Sequence, residues 1–367
     1  MAARRTLDGI IFGLVLCLSA LGLLMIYSTS AVISQRQYGH PYHFLQRQGV
    51  WLVVGLAVMV FLMRVDYRRL RSGLATGIPL ALTAGLLLLA LFSAPINYTN
   101  RWVRLGPLTI QPSELAKLTL LIFMAWVLTR GRASLDELKG PVLICLATIA
   151  AIVALVAIEP DLGTAITIAA IAFSVLFAAG IHWGYIAFPA ALMGAGGVIM
   201  LLTTEYQWDR YKTYIDRVLG RSVDLSGAGY QATQSVIAIA SGGLTGRGLG
   251  EGAQKLYFLP YPHTDFIFSN IGEELGFIGA AGVVVAFLFL MARGLEIAAR
   301  VPDRFLSLLA FGATVMIVGQ ALINIGVCLA LLPTKGLPLP FLSYGGSSLV
   351  TSLAAAGLMM NASQYKT

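Results

Sequence analysis

A chain of 367 residues could hold two soluble domains, but 57% of these residues are hydrophobic, 11% are charged and the mean hydropathy is +0.80. Soluble domains run at about 45–50% apolar residues, so the composition excludes a soluble fold and points to one polytopic membrane domain over 1–367. The formal charge of +8 does not mark a nucleic-acid binder, because no compact basic module gathers it.

The apolar stretches are continuous and do not alternate, which selects membrane helices over a closed barrel. The expected fold class is therefore all-α, a bundle of about ten spans near 9–33, 48–63, 75–93, 113–129, 141–158, 162–180, 184–203, 265–292, 305–332 and 346–361. Arg4 and Arg5 precede the first run, which continues past 20 residues without a small-residue cleavage site and reads as a retained span. An even number of spans puts both termini on one side. Loops on that side, with the termini, hold thirteen basic residues, while short loops opposite hold five: Arg36, Arg47, Arg101, Arg104 and Lys335. The bias makes both termini cytoplasmic, and the loop near 204–264 is long enough to escape the rule and lie outside.

Four polar clusters interrupt this pattern. The first, at 100–117, places Arg101 and Arg104 outside the membrane and Glu114 and Lys117 just within a span. Three residues apart, the last two share a helix face and read either as an internal ion pair or as groups facing a polar cavity. The second is the charged corner EPDLG at 159–163. The third is the long loop, where SVIAIA suits a re-entrant segment and GRGLGEG, with no strand before it, reads as a turn of closely passing backbone. The fourth, at 331–348, has prolines and glycines that keep backbone out of helix, which membrane depth tolerates only beside protein or a cavity. Cys17, Cys145 and Cys328 fall in apolar spans at unrelated spacings and read as small apolar residues.

Asp265 stands where the long loop enters a span. On a helix beginning near Thr264, Ser269, Gly272 and Gly276 share its face within about 40°, a stripe of small residues that lets a helix or substrate approach. The plainer alternative is a first-turn carboxylate interacting with the helix dipole. Glu273 and Glu274 lie about 12 Å further along, turned about 80° and 180° away. They are expected to support the site or the packing, not to form a catalytic pair with Asp265. The outer face thus offers one carboxylate and the cations Arg101, Arg104, Lys117, Arg210, Lys255 and Lys335, an inventory suited to an anionic lipid-linked substrate.

The segments RWVRLGPLTIQPSELAK (101–117), EPDLGTA (159–165), GYQATQS (229–235), HTDFIFSNIGEELG (263–276) and LPTKGLPLPFLSYGGSSL (332–349) resemble, in order, those of the SEDS family of bacterial membrane proteins. QKL (254–256) and LPTKG (332–336) look more like its FtsW branch, whereas GLPLPF (336–341) leans toward the RodA branch. The family's usual glutamate before the His-Thr-Asp is absent, since the chain reads Pro260, Tyr261, Pro262. The resemblance implies a cell-division glycosyltransferase of the cytoplasmic membrane that polymerises lipid II outside it, working with a class B penicillin-binding protein. It places the essential aspartate on Asp265, with substrate-binding candidates Arg101, Arg104, Glu114, Lys117, Arg210, Gln234, His263, Thr264, Lys335 and Ser343. In the implied mechanism Asp265 takes the proton of the acceptor hydroxyl as it attacks, with inversion, a glycan linked to undecaprenyl pyrophosphate. The cations offset the leaving pyrophosphate; Mg²⁺ or Mn²⁺ would assist there, with no tightly bound metal expected. The alternatives are a RodA-type elongation polymerase, a lipid II flippase and a non-catalytic scaffold gripping a partner helix through Gly272 and Gly276.

Overall fold

The computed structural model describes residues 8–93, 101–106, 108–130, 140–159, 161–221, 227–256, 258–260 and 262–366. The expectations for Arg4 and Arg5, for the basic loop at 131–139 and for Asn100, Pro107, Pro160, Tyr257 and Tyr261 fall outside the described residues. Helices dominate: α1 (Gly9–Tyr38), α2 (His43–Arg64), the short α3 (Tyr67–Leu70), α4 (Gly73–Leu91), α5 (Pro112–Thr129), α6 (Pro141–Ile158), α7 (Leu162–Ala178) and α8 (Trp183–Thr203). Then come α9 (Glu205–Val218), α10 (Gly227–Ser241), α11 (Ile267–Arg300), α12 (Arg304–Cys328) and α13 (Gly346–Ser363). A small antiparallel hairpin, β1 (Val103–Leu105) with β2 (Leu108–Ile110), precedes α5.

Among the described residues, eight helices are long and apolar enough to cross a bilayer: α1, α2, α4, α5, α6, α8, α11 and α12. The apolar α7, at 17 residues, and α13 complete the expected ten. α13 is rich in serine, glycine and alanine, and nearly all of it is buried. It is less hydrophobic than its neighbours because it faces protein instead of lipid, where small residues allow close approach. Gly357 of α13 lies against the backbone of Met59 in α2, and Gly55 of α2 against Leu353 in α13. Several boundaries move: α1 continues to Tyr38, α2 begins at His43 and α11 continues to Arg300, because helix persists past the apolar stretch into polar residues, while α12 stops at Cys328. Cys145 and Cys328 are buried as expected, whereas Cys17 lies exposed on the outer face of α1.

Ion pairs close one end of the bundle. The Asp8 carboxylate caps α1 and accepts from Arg293 Nε at 2.8 Å and from Lys366 Nζ at 3.4 Å, so both ends of the described chain meet there. Arg71 and Asp303 pair at 3.4 Å between neighbouring turns. The hairpin, α9, α10 and the functional candidates occupy the opposite end.

There α11 is broken. Gly276 takes φ 68° and ψ −167°, splitting off the half-helix 267–275. A break leaves backbone donors and acceptors unpaired, and the turn after α10 pairs them. Arg247 N and Gly248 N donate to the carbonyls of Glu273 and Glu274, while Phe277 N and Ile278 N donate to Gly243 and Leu244. The two backbones come so close that a Cβ at Gly242, Gly246 or Gly276 would overlap main-chain atoms across the contact. GRGLGEG is thus a close-approach turn. The expected small stripe is covered by the chain itself: Gly272 meets Ile239 of α10, and Gly276 meets Gly246 and Leu244. Neither glycine is open to a partner helix, which corrects the scaffold expectation. Gly276→Ala combines a left-handed φ with this overlap; it should lower the thermal unfolding midpoint and the yield of folded protein, which fluorescence-detected size exclusion would read.

Candidate active site at the broken helix

Two buried carboxylates lock the turn after α10 to the half-helix. Glu273 accepts from Ala253 N at 2.9 Å and from Gln254 N at 3.2 Å, and Arg247 lies 3.6 Å away. Glu274 accepts from Lys255 Nζ at 2.7 Å, from Gly250 N at 3.0 Å and from Ser28 of α1. Their expected supporting role takes this specific form. The Lys255 ammonium is consumed here and does not face a ligand.

Asp265 lies two residues ahead of α11, whose first cap is Phe266, so the helix begins later than the expected Thr264. The turn of residues 262–266 is fixed through its backbone. Asn270 Nδ2 donates to Pro262 O at 3.0 Å, Tyr344 N to His263 O at 2.9 Å, Ser343 Oγ to Thr264 O at 2.5 Å, and Asn324 Nδ2 to Asp265 O at 2.8 Å. The carboxylate itself caps nothing, and no described side chain hydrogen-bonds it. It is half-buried and faces the extended segment between α12 and α13, where a Cβ at Gly336 would lie 2.9 Å from Oδ2. Burial pushes its pKa up to about 6, with Arg101 and Arg210 pulling down and Asp161 pushing up. A carboxylate held by its backbone, without a hydrogen-bonded partner among the described residues and poised near neutrality is chemically available.

The expected site residues divide by what encloses them. Arg101 is half-buried and meets Asp161 at 3.4 Å. Arg210 donates to Thr334 O at 3.2 Å, and the Lys335 ammonium sits 5.4 Å from the centre of the Tyr211 ring, a cation–π distance. Arg104 is exposed on β1, opposite Thr109. Gln234 is half-buried on α10. Thr264 and Ser343 join backbone to backbone, as Ser343 Oγ also accepts from Leu339 N at 2.8 Å. The His263 ring packs against Phe44 and Tyr344, and burial lowers its pKa to about 4, so the imidazole is neutral.

Lys117 requires a correction as a ligand-facing cation. Its side chain is fully buried, paired with Glu114 at 2.8 Å and donating to Gln320 Oε1. Gln320 Nε2 in turn holds Pro338 O at 2.8 Å, and Asn324 Nδ2 bridges Leu337 O at 2.7 Å to Asp265 O. Glu114 and Lys117 therefore anchor the chain of contacts that fixes the segment around Gly336. Gln320, Asn324, Asp161 and Gly336 did not stand out as site residues from the sequence. The first two are polar residues one turn apart within an apolar span, and Asp161 followed by Thr164 has the spacing of a helix cap, which it forms.

A family model described as "Cell cycle protein" and covering FtsW, RodA and SpoVE matches residues 8–367. The chain belongs to the FtsW/RodA/SpoVE family. Among its relatives, the probable peptidoglycan glycosyltransferase FtsW of Geobacter metallireducens is 38% identical, over 97% of this chain and 94% of that one. Stage V sporulation protein E of Bacillus subtilis is 35% identical over 100% of this chain and 99% of its own. Among solved structures, a subunit of a peptidoglycan synthase complex that coordinates polymerization and crosslinking aligns with TM-score 0.78 and 31% identity, over 99% of both chains. The rod shape determining protein RodA of Thermus thermophilus aligns with TM-score 0.70 and 29% identity, also over 99% of both. The match extends over nearly the whole length of these relatives, and the chain is a multi-pass membrane protein.

Proposed function

We propose that this member of the FtsW branch polymerises lipid II into glycan strands at the outer face of the cytoplasmic membrane, with Asp265 as general base. The observation that carries the reading is the Asp265 carboxylate: backbone-fixed, half-buried, without a hydrogen-bonded partner among the described residues, and within the field of Arg101 and Arg210. The acceptor's sugar hydroxyl loses its proton to Asp265 as its oxygen bonds to the anomeric carbon of the donor, with inversion. The bond from that carbon to undecaprenyl pyrophosphate breaks, and the leaving group departs with the electron pair. Pyrophosphate leaves without a second carboxyl group as acid once its charge is offset. Arg101, Arg210 and Lys335 are the cations for this, with Arg104 at the rim. A divalent cation such as Mg²⁺ or Mn²⁺ arriving with the pyrophosphate would be held by Asp265 and would help offset the leaving group's charge.

Both termini then lie in the cytoplasm, and a class B penicillin-binding protein is the partner that crosslinks the product. Between α9 and residues 330–334 lies a narrow cleft with about 10 Å³ of free space, lined by Arg210, Tyr214 and Arg217. Ligand pockets run at about 300–1,000 Å³, so the substrate enters by loosening α9 from Thr334 and Leu331, which Arg210 and Tyr214 hold at 3.2 and 2.9 Å. The purified chain with its partner and labelled lipid II should yield glycan strands separable by gel electrophoresis. A folded complex that yields none overturns the reading.

The pH dependence follows from the same field. The base works ionised, so activity should rise through about pH 6, the value to which burial brings Asp265. Arg210→Gln removes a group that lowers this pKa, so the acid limb should move to higher pH; a limb that stays in place would detach Arg210 from Asp265.

A further inference from the structure

Glu159 caps the end of α6 and is wholly enclosed. Among the described residues neither of its carboxylate oxygens has a hydrogen-bond partner. Two charged groups act on it: Asp161, two positions along, and Arg101, which meets Asp161 at 3.4 Å. Of the helices packed on α6, α4 and α7 contain no charged residue, and on α5 Glu114 and Lys117 neutralise one another. An ionised carboxylate enclosed without a donor, beside a second carboxylate, is a costly arrangement, and such a group takes a proton instead. Burial accordingly pushes the Glu159 carboxyl up to about 8, Asp161 adding to the effect and Arg101 opposing it.

We propose that Glu159 is a positioning residue that works only as the neutral acid, leaving the Arg101 guanidinium committed to Asp161 and to the field around Asp265. Ionisation of Glu159 would place a second negative group beside Arg101 and draw it from Asp161. Arg101 is also one of the cations that offset the leaving pyrophosphate, so its displacement reaches the reaction without Glu159 touching substrate. A sealed carboxyl thereby sets the upper pH limit of the site. This inference rests on the reading of Asp265 given above, and its test has one arm that does not.

The test compares wild type with Glu159→Gln, which keeps the shape of the neutral acid and cannot ionise. Polymerisation of labelled lipid II is followed from pH 6 to 10, and thermal unfolding of the detergent-solubilised protein over the same range. Glu159→Gln should match wild type within about threefold at pH 7, and its alkaline limb, near pH 8 in wild type, should move up by at least about one unit. In unfolding, the folded-state pKa lies above the unfolded value of about 4.3. Stability from the neutral acid is then full below about pH 4 and lost as pH rises through about 8. The midpoint of wild type should therefore fall relative to Glu159→Gln as pH rises, and that arm needs no turnover. A tenfold loss in Glu159→Gln at pH 7 would mean that an ionised carboxylate is required, and would overturn the proposal. An alkaline limb that does not move, or unfolding curves that run parallel across the range, would overturn it as well.

Discussion

Asp265→Asn and Asp265→Ala, each purified with the partner, should polymerise lipid II about 10²–10⁴-fold more slowly than wild type, the range a positioned general base supplies. Asparagine keeps the shape of the side chain and cannot take up the proton. The fold should survive, because what the structure asks of position 265 is its carbonyl, held by Asn324 at 2.8 Å, and both replacements retain it. A half-buried carboxylate without a hydrogen-bonded side chain adds little to stability, so unfolding midpoints should stay close to wild type. Lipid II binding, measured with the same variants, should be kept. Near-normal glycan strands from both variants would remove Asp265 as the base. Loss of folded protein alongside loss of product would make it a structural residue.

Lys117→Ala should be destabilising by about 3–5 kcal/mol, the usual result of stripping one partner from a buried ion pair. It leaves the Glu114 carboxylate enclosed and takes the donor from Gln320, whose amide holds Pro338. The segment facing Asp265 then loses its anchor, and activity should fall with stability. The double variant Glu114→Leu/Lys117→Met separates structure from chemistry. It removes both buried charges together, a change that proteins often tolerate, so a good part of the stability should return. Gln320 Oε1 still lacks its donor, so recovery is incomplete. If Lys117 acts through the loop, activity should return in step with the unfolding midpoint. A double variant that is stable but inactive would mean that the amine meets the substrate after all.

Much of the site was legible because membranes make polar residues conspicuous. Asp265, Glu273, Glu274, Glu114 and Lys117 stood out since each is costly beside lipid and needs a reason to be there. What each does was less legible. Arg101 and Lys117 look alike as positive residues near the outer surface, yet one meets Asp161 half-buried while the other is sealed between Glu114 and Gln320. That difference depends on which helices are neighbours, and spacing along the chain does not encode it. Gln320 and Asn324 passed without notice for the same reason: their importance comes from a segment about fifteen residues later in the chain that folds back onto them. The break at Gly276 was also hidden, since a glycine in an apolar run reads as a packing surface until the turn that replaces the missing hydrogen bonds is seen.

By itself the sequence determined the class of the protein, the number of its spans and the position of the aspartate at a helix mouth. Hydropathy is a local property, and a bilayer imposes its thickness on every span alike. Only the tertiary structure decided which carboxylates are consumed in holding loops, which one is left available, and which cations remain to face a ligand. Those outcomes turn on contacts between elements far apart in the chain, such as Ser28 with Glu274 and Asp265 with Gly336. A buried charge is defined by what surrounds it.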